Sequence, residues 1–277
     1  MVKLRALAPF AYAALWSAQT VSTKAFVTRH HRSALQVFAS VTAAELIKLL
    51  ATVAVCGFSG IGSFRARVPA CAALAVACAS LAYPTLAVIP AASYVPLLGI
   101  QLAIRLVLRF AAYGPAAVTP RRAVGSFLGC VGAMAAAVRL PRWSATAVLM
   151  QAFLVCFAEA LDDDGDGAAA DPVSVACWTG WTAALLTAGA ASADLHRAAL
   201  TVATPVPPYA AATVALMAAS GVARGVAVDE AAWPVSVTAM EASLLVAGGV
   251  AFLGETITAF EIIGAVLVVV GTHMCYS

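Results

Sequence analysis

Long apolar runs, each about as long as a bilayer crossing, constrain this chain more than any other feature. Residues 173–193 contain no charged side chain, and residues 232–253 contain one. A helix rises 1.5 Å per residue, so about twenty residues cross roughly 30 Å of hydrocarbon. Only 10% of the chain is charged, against about a quarter in soluble domains. Lipid therefore suits most of its surface better than water.

Helices fit these runs better than the strands of a membrane barrel, because barrel strands alternate apolar and polar residues over about ten positions. Helices also satisfy every backbone hydrogen bond within one segment. We therefore predict an all-α membrane protein with about ten transmembrane helices. The predicted spans are 6–27, 34–57, 68–89, 91–112, 122–140, 144–161, 173–193, 208–227, 232–253 and 258–275.

The order of the spans predicts a single transmembrane domain, residues 1–277, built from two repeats. Five spans precede the short loop at 140–143 and five follow it. A repeat with an odd number of helices inserts its second copy upside down. The predicted repeats are 1–140 and 144–277, in inverted orientation. Inverted repeats are typical of secondary transporters, whose substrate site lies between the halves near the bilayer midplane.

The basic residues near the ends of the spans favour cytosolic termini, because cytosolic loops carry an excess of lysine and arginine. With the N-terminus inside, eight basic residues fall on the cytosolic side and five on the other. The cytosolic set is Lys3, Arg5, Arg65, Arg67, Arg109, Arg121, Arg122 and Arg224; the opposite set is Arg29, Arg32, Arg139, Arg142 and Arg197.

Five polar or charged side chains lie near the middle of their predicted spans, where a charge is costly and usually marks a pathway. Glu45 and Lys48 are three residues apart on one helix face, and Gln101 and Arg105 are four apart on another. Glu241 lies midway along the ninth span. Together they predict a polar cavity that binds an anionic solute through charge-assisted hydrogen bonds. The alternative is a set of structural ion pairs that hold helices together.

Several functional classes find no support in the sequence. No phosphate-binding loop of the GxxxxGK[ST] type occurs, and no catalytic constellation is apparent, so we expect neither ATP hydrolysis nor an enzyme. Asp162, Asp164 and Asp166 begin like a calcium loop, but the twelfth position is Val173 rather than glutamate. We therefore expect no metal and no cofactor. The basic residues form no domain of their own, so nucleic acid is not an expected partner.

Four stretches, in order along the chain, resemble one family of transporters. They are QTVSTKAFVTRHHR at 19–32, SVTAAELIKLL at 40–50, AASY at 91–94 and LGETITAFEIIGAVLVVVG at 253–271. The first three resemble the nucleotide-sugar transporters for CMP-sialic acid, UDP-galactose and UDP-N-acetylglucosamine. The last is similar to the closing helix pair of the wider drug/metabolite transporter superfamily.

The resemblance implies ten helices, cytosolic termini and alternating access, with a nucleotide sugar exchanged for a nucleoside monophosphate. Glu45 and Lys48 match the acid and base of the family's second helix at the substrate cavity, and Tyr94 matches its fourth-helix tyrosine. Gln101 takes the place of the family's lysine, for which Arg105 can substitute. Membrane lipids are the other expected partners, the Golgi membrane is the expected location with the ER as the alternative, and homodimerisation stays open.

Two rival functions follow from positions where the chain departs from this family. The family's Q-N-N in the third helix falls near Val76, Ala77 and Cys78, which are apolar. The chain could therefore be a superfamily exporter of another small metabolite. It could also be a membrane scaffold that keeps the fold and transports nothing.

Overall fold

The structure, a computed structural model, is helical throughout the parts that it describes. The described residues are 2–30, 42–47, 49–51, 53–54, 67–162, 172–193, 211–216, 218–220 and 233–276. Within these ranges the backbone forms helices and turns, and no strand. For the described residues, the prediction of helices rather than strands is confirmed.

Nine helices with defined bounds are labelled here in chain order. They are α1 (Val2–His30), α2 (Arg67–Val88), α3 (Ala91–Leu98), α4 (Gln101–Tyr113), α5 (Pro120–Ala137), α6 (Arg142–Asp162), α7 (Pro172–Ala193), α8 (Trp233–Leu253) and α9 (Ala259–Tyr276). The described parts of 42–54 and of Ala211–Ser220 are also helical.

Four of the described segments are long and apolar enough to cross a membrane: Pro69–Val88, Ala91–Tyr113, Val235–Leu253 and Ala259–Tyr276. They coincide with the third, fourth, ninth and tenth predicted spans to within three residues. Large apolar side chains on the outside also match a lipid solvent, because soluble proteins rarely expose such patches. Leu50, Met134 and Phe252 are between 69% and 74% exposed.

Helices α5 and α9 make the most extensive helix contact in the described part of the chain. A Cβ atom added to Gly125 would lie 2.6 Å from the carbonyl oxygen of Gly271, and one on Gly132 would lie 2.7 Å from that of Gly264. The two helices therefore run antiparallel with their backbones in close contact. Small residues allow such an approach in a membrane, where van der Waals packing drives helix association.

The fourth predicted span differs from a single helix, because it is interrupted between α3 and α4. Pro96 lies inside α3, where it provides no amide hydrogen for the helical ladder. At Gly99 and Ile100 the backbone changes to bonds between residues three apart, with Gly99 N–H donating to the Pro96 carbonyl at 3.0 Å. Gly99 also permits close packing against α9, because a Cβ atom at this position would lie 2.3 Å from the Val268 side chain.

The interrupted α3–α4 span defines two ends of the bundle. At the Pro90 end, α2 finishes and α3 begins with only Ile89 and Pro90 between them. At the Tyr113 end, α4 is followed by a 3-10 turn, Pro115–Ala117, and then by α5. Helices α1 and α8 pack together beside α3, and α6 packs against α2 and α4. Span α3–α4 thus lies between helices from both halves of the chain.

Candidate functional site

A buried ion pair joins the two halves of the chain at the Pro90 end. Lys24 on α1 contacts a carboxylate oxygen of Glu255, which lies in the link between α8 and α9. The two side chains are only 10% and 14% exposed. The Lys24 ammonium group also donates to the carbonyl oxygen of Ile89. The other carboxylate oxygen of Glu255 accepts the Ala91 amide hydrogen at 2.8 Å.

Each charge of this pair lies at the helix end that favours it. Ile89 follows the C-terminus of α2, where carbonyl groups leave a partial negative charge that attracts the ammonium group. Ala91 opens α3, where free amide groups leave a partial positive charge that attracts the carboxylate. The Lys24–Glu255 pair therefore bonds the junction between α2 and α3 from both sides.

Two glycines at the end of α8 position the Glu255 carboxylate. Gly254 has a φ of +67° and ends the helix, with its amide hydrogen donated to the Val250 carbonyl at 3.2 Å. Gly249 leaves room for the side chain, because a Cβ there would lie 2.6 Å from a carboxylate oxygen of Glu255. A side chain at Gly249 would displace the acid from Lys24, whereas one at Gly254 would strain the left-handed backbone that ends the helix.

A second buried acid, Glu261 in the first turn of α9, lies near the same junction. It accepts hydrogen bonds from the Thr258 amide at 2.7 Å and the Thr258 hydroxyl at 3.0 Å. Its other oxygen accepts the Ser93 hydroxyl hydrogen at 2.6 Å. The spacing of Thr258 and Glu261 is that of a capping box. Glu261 thus caps α9 and ties it to α3.

A cavity of about 370 Å³ opens beside Glu261 at this end. Its lining combines an acid, a base and hydroxyl groups with apolar walls. The lining residues are Val88, Pro90, Ser93, Ala135, Ala136, Arg139, Leu140, Pro141, Thr256, Thr258, Phe260 and Glu261. The Arg139 guanidinium carbon lies 5.9 Å from the centroid of the Phe260 ring, a cation–π distance.

Tyr94, one turn into α3, is packed among side chains from both halves. It is 2% exposed, and its ring stacks on Trp16 with centroids 6.0 Å apart. The Tyr94 hydroxyl oxygen accepts a hydrogen bond from the side-chain amide of Gln151 on α6. In this conformation Tyr94 connects α1, α3 and α6.

The last turns of α1 carry a run of buried polar side chains that leads to Lys24. Ser17, Thr20 and Thr23 are each no more than 3% exposed. The Thr20 hydroxyl donates to the carbonyl oxygen of Trp16. Serine and threonine side chains within helices often bond the carbonyl four residues earlier in this way. Two side-chain bonds join α1 to Ala211–Ser220: Ser22 with Thr213 at 2.6 Å, and Ser220 donating to Gln19.

The structure divides the predicted site residues between different places. Tyr94 lies near the Pro90 end, whereas Gln101 and Arg105 lie further along the span toward the Tyr113 end. Arg105 donates to the Gln101 side-chain oxygen at 3.4 Å and to the Tyr276 hydroxyl at 3.2 Å. It therefore faces α9, while Tyr94 faces α1 and α6.

Glu45, Lys48 and Glu241 remain predicted site residues. Glu45, in the helical segment 42–47, and Glu241, on α8, are both half-buried. Lys48 lies outside the described residues.

Lys24 and Glu255 were not among the predicted site residues, although the sequence carries a signal for each. Lys24 lies inside the predicted span 6–27, and a charge within a span marks a site by the same reasoning that selected Glu45. Glu255 belongs to the LGE sequence that begins at Leu253. Nothing in the periodicity of either segment indicates that the two residues form a pair.

Comparisons with known proteins assign no family to this chain. No protein-family model matches it, and no curated protein matches it either. Among the described residues, no group of three or more His, Cys, Asp or Glu side chains is placed to hold a metal ion.

Proposed function

We propose that this chain is a secondary transporter that works by alternating access and is built from two inverted repeats of five helices. One observation carries the proposal: the reciprocal glycine packing of α5 and α9, the fifth and tenth predicted spans. Gly125 meets Gly271, and Gly264 meets Gly132, with the two glycines seven positions apart on each helix. A two-fold axis between the helices exchanges the two contacts. Inverted repeats in transporters are related by such an axis in the membrane plane.

The spacing of the helices along the chain supports the same repeat. Gly264 follows Gly125 by 139 residues, and Arg142 at the start of α6 follows Val2 at the start of α1 by 140. Trp233 at the start of α8 follows Ala91 at the start of α3 by 142. A nearly constant offset is expected when the second half repeats the first.

The pairs of helices in contact also correspond under this repeat. Under the repeat, each predicted span corresponds to the span five places away. Helices α1 and α8 are the first and ninth spans, so their contact corresponds to one between the sixth and fourth spans. Those spans contain α6 and α3, which are also in contact. The bond of α1 to Ala211–Ser220 corresponds to the contact of α6 with α2, where the Cys71 thiol lies 3.6 Å from the Ala158 carbonyl. These correspondences favour a bundle that can rock about a central axis.

In this proposal the Lys24–Glu255 pair is the gate that closes the Pro90 end. It links α1 and the α2–α3 junction to the α8–α9 link, and these belong to opposite repeats. Opening that end requires the pair to separate, and water entering the opened end would solvate both charges. Separating a buried ion pair without a replacement partner is costly. The closed state therefore resists opening until a bound solute offsets the free energy of that separation.

The proposed substrate is a nucleotide sugar, exchanged for a nucleoside monophosphate. This choice rests on the AELIK sequence that contains Glu45 and Lys48 and on its resemblance to the nucleotide-sugar transporters. Lys48 and Arg105 would bind phosphate oxygens, Glu45 would orient Lys48, and Glu241 and Gln101 would line the cavity. Tyr94 would reach the solute only after α3 moves away from Trp16. The proposed membrane is that of the Golgi, with the ER as alternative, and both termini in the cytosol.

A binding measurement on purified protein tests the proposed substrate. The nucleoside monophosphates of the four common bases are tested in turn. At least one should raise the melting temperature of the protein at concentrations where its unphosphorylated nucleoside does not. Lys48→Ala should weaken that binding about 10- to 100-fold, because it removes one charge-assisted bond. Arg142→Ala, which removes an exposed arginine from α6, is the matched control and should bind as the wild type. Stabilisation by other metabolites but by no nucleotide would favour the exporter.

The packing of Tyr94 favours a second function, that of a membrane scaffold without transport. Its ring and hydroxyl are both engaged by Trp16 and Gln151, as expected of a bundle that stays closed. Cross-linking separates the two functions. A disulfide engineered across the Pro90 end should abolish exchange in a transporter, whereas a scaffold would show no exchange before or after the cross-link forms.

A further inference from the structure

A crevice lined by three arginines lies at the Tyr113 end of the bundle, opposite the Lys24–Glu255 pair. It lies between the first three turns of α4, the first turns of α5 and the end of α9. Its lining residues are Leu102, Arg105, Leu106, Arg109, Arg122, Ser126, Cys275 and Tyr276. No acidic side chain is among these described lining residues. The crevice therefore presents positive charge and hydroxyl groups at the edge of two candidate membrane spans.

Hydrogen bonds fix the floor of this crevice and hold two of its arginines, Arg105 and Arg122. The Ser126 hydroxyl donates to the Leu102 carbonyl at 3.1 Å, and the Cys275 thiol lies 3.6 Å from the Arg122 carbonyl. Arg122 donates from one guanidinium nitrogen to the Ala117 carbonyl at 3.0 Å. Arg105 bonds Tyr276. Arg105 and Arg109 on α4 and Arg122 on α5 thus line one crevice beside the end of α9.

The location of the crevice favours a lipid over a soluble anion. Ala259–Tyr276 is a candidate membrane span that ends at the crevice, and α5 begins beside it at Pro120. In a membrane this position would lie near the lipid headgroups. The same turns of α4 and α5 expose large apolar side chains: Phe110 is 52% exposed, Val124 48% and Phe127 66%. Acyl chains would pack on these side chains while a phosphate contacts the arginines. The crevice itself holds only about 20 Å³, so the headgroup would bind at its mouth.

We propose that Arg109 and Arg122, beside the Arg105–Tyr276 hydrogen bond, form a binding site for the phosphate of an anionic phospholipid. Guanidinium groups bind phosphate oxygens through paired hydrogen bonds. Basic pockets between transmembrane helices bind anionic headgroups in this way. The bound lipid would connect α4 to α5, and α5 carries the glycine contact with α9. This lipid site does not depend on the transport proposed above.

A lipid titration of the purified chain in mild detergent tests the site. Thermal stability is followed as dioctanoyl phosphatidylserine is added, with dioctanoyl phosphatidylcholine and glycerophosphoserine, which lacks acyl chains, as separate arms. Phosphatidylserine should bind at least tenfold more tightly than either. Equal stabilisation by phosphatidylcholine would overturn the proposal, and equal stabilisation by glycerophosphoserine would identify a site for free anions instead.

Variants then locate the binding to the crevice. One arginine contact with an anionic lipid is worth about 1 kcal/mol, so Arg109→Gln should weaken phosphatidylserine binding about fivefold, and Arg109→Gln with Arg122→Gln about thirtyfold. Arg121→Gln is the matched control, because it removes the same charge from an exposed neighbour that does not line the crevice. It should weaken binding less than twofold. An equal loss in Arg121→Gln would show general surface attraction and overturn the site.

Arg122 also bonds the loop before α5, so the double variant requires a check of its folding. Its elution as a single species and its helical circular dichroism should match the wild type. Arg109 is exposed, and Arg109→Gln alone therefore decides the result if the double variant is unstable. Unchanged phosphatidylserine affinity in Arg109→Gln would contradict the proposed site.

Discussion

Lys24 and Glu255, from the first helix and from the link before the last, form a buried ion pair whose charges also bond opposite sides of the α2–α3 junction. The Lys24 ammonium group donates to the Ile89 carbonyl oxygen, and the Glu255 carboxylate accepts the Ala91 amide hydrogen. Three segments that are distant in sequence, α1, the α2–α3 junction and the α8–α9 link, therefore meet at one end of the bundle. In the proposed transporter this junction is the closed gate.

Removing one partner of this pair should destabilise the protein strongly. Lys24→Ala leaves Glu255 buried without its counter-charge, which should lower the free energy of unfolding by about 3–5 kcal/mol. Denaturant titration in mild detergent, followed by circular dichroism, measures the change. Arg142→Ala removes an exposed cation and should change stability by less than about 0.5 kcal/mol.

Exchanging the two charges separates ion pairing from helix-end effects. Lys24→Glu with Glu255→Lys restores a pair of opposite charges, but each now lies at the helix end that disfavours it. We expect the swapped protein to be more stable than Lys24→Ala yet about 1–2 kcal/mol less stable than the wild type. Full recovery would mean that the ends of α2 and α3 contribute nothing to the placement of the charges.

The contact between α5 and α9 should tolerate no added side chain at its glycines. Gly132→Ala places a Cβ 2.7 Å from the Gly264 carbonyl oxygen, so the helices must separate, at a cost of about 1–3 kcal/mol. Gly189→Ala on α7 is the matched control, since no described atom lies within 4 Å of the added carbon. The control should gain about 0.5–1 kcal/mol through higher helix propensity. Similar effects at both positions in thermal unfolding would argue against backbone contact at Gly132.

Tyr94 and Gln151 should behave as a coupled pair. Tyr94→Phe removes the acceptor for the Gln151 side-chain amide, which is 6% exposed, and should cost about 1–3 kcal/mol. Gln151→Leu added to Tyr94→Phe replaces both polar groups and should recover most of that loss. A double-mutant cycle of unfolding free energies measures the coupling. Additive effects of the two changes would mean that the hydrogen bond does not persist in the membrane.

The helices were largely predictable from sequence, because apolar run length is a local property. The predicted spans 68–89 and 232–253 agree with α2 and α8 to within one residue. The break in the fourth span was not predicted, although Pro96 inside an apolar run is a recognisable signal. Its position depends on contacts of Gly99 with α5 and α9, which no local pattern contains.

The candidate site was less predictable, because it depends on pairing between distant segments. Charges inside spans drew attention to Glu45, Lys48 and Glu241, but not to Lys24 near the end of its span. The partner of Lys24 lies 231 residues away, and one sequence carries no information on such pairing. Glu261 was predictable as a helix cap from the T-x-x-E spacing with Thr258, whereas its bond with Ser93 was not.

Solute exchange across a membrane tests the central claim most directly. The purified chain is reconstituted in liposomes preloaded with a nucleoside monophosphate, and uptake of the matching labelled nucleotide sugar is compared with uptake into empty liposomes and by Lys48→Ala. The proposed antiport predicts uptake at least several-fold faster into the preloaded vesicles, with most of that increase lost in Lys48→Ala. Equal uptake with and without internal monophosphate, for CMP-sialic acid, UDP-galactose and UDP-N-acetylglucosamine alike, would contradict it.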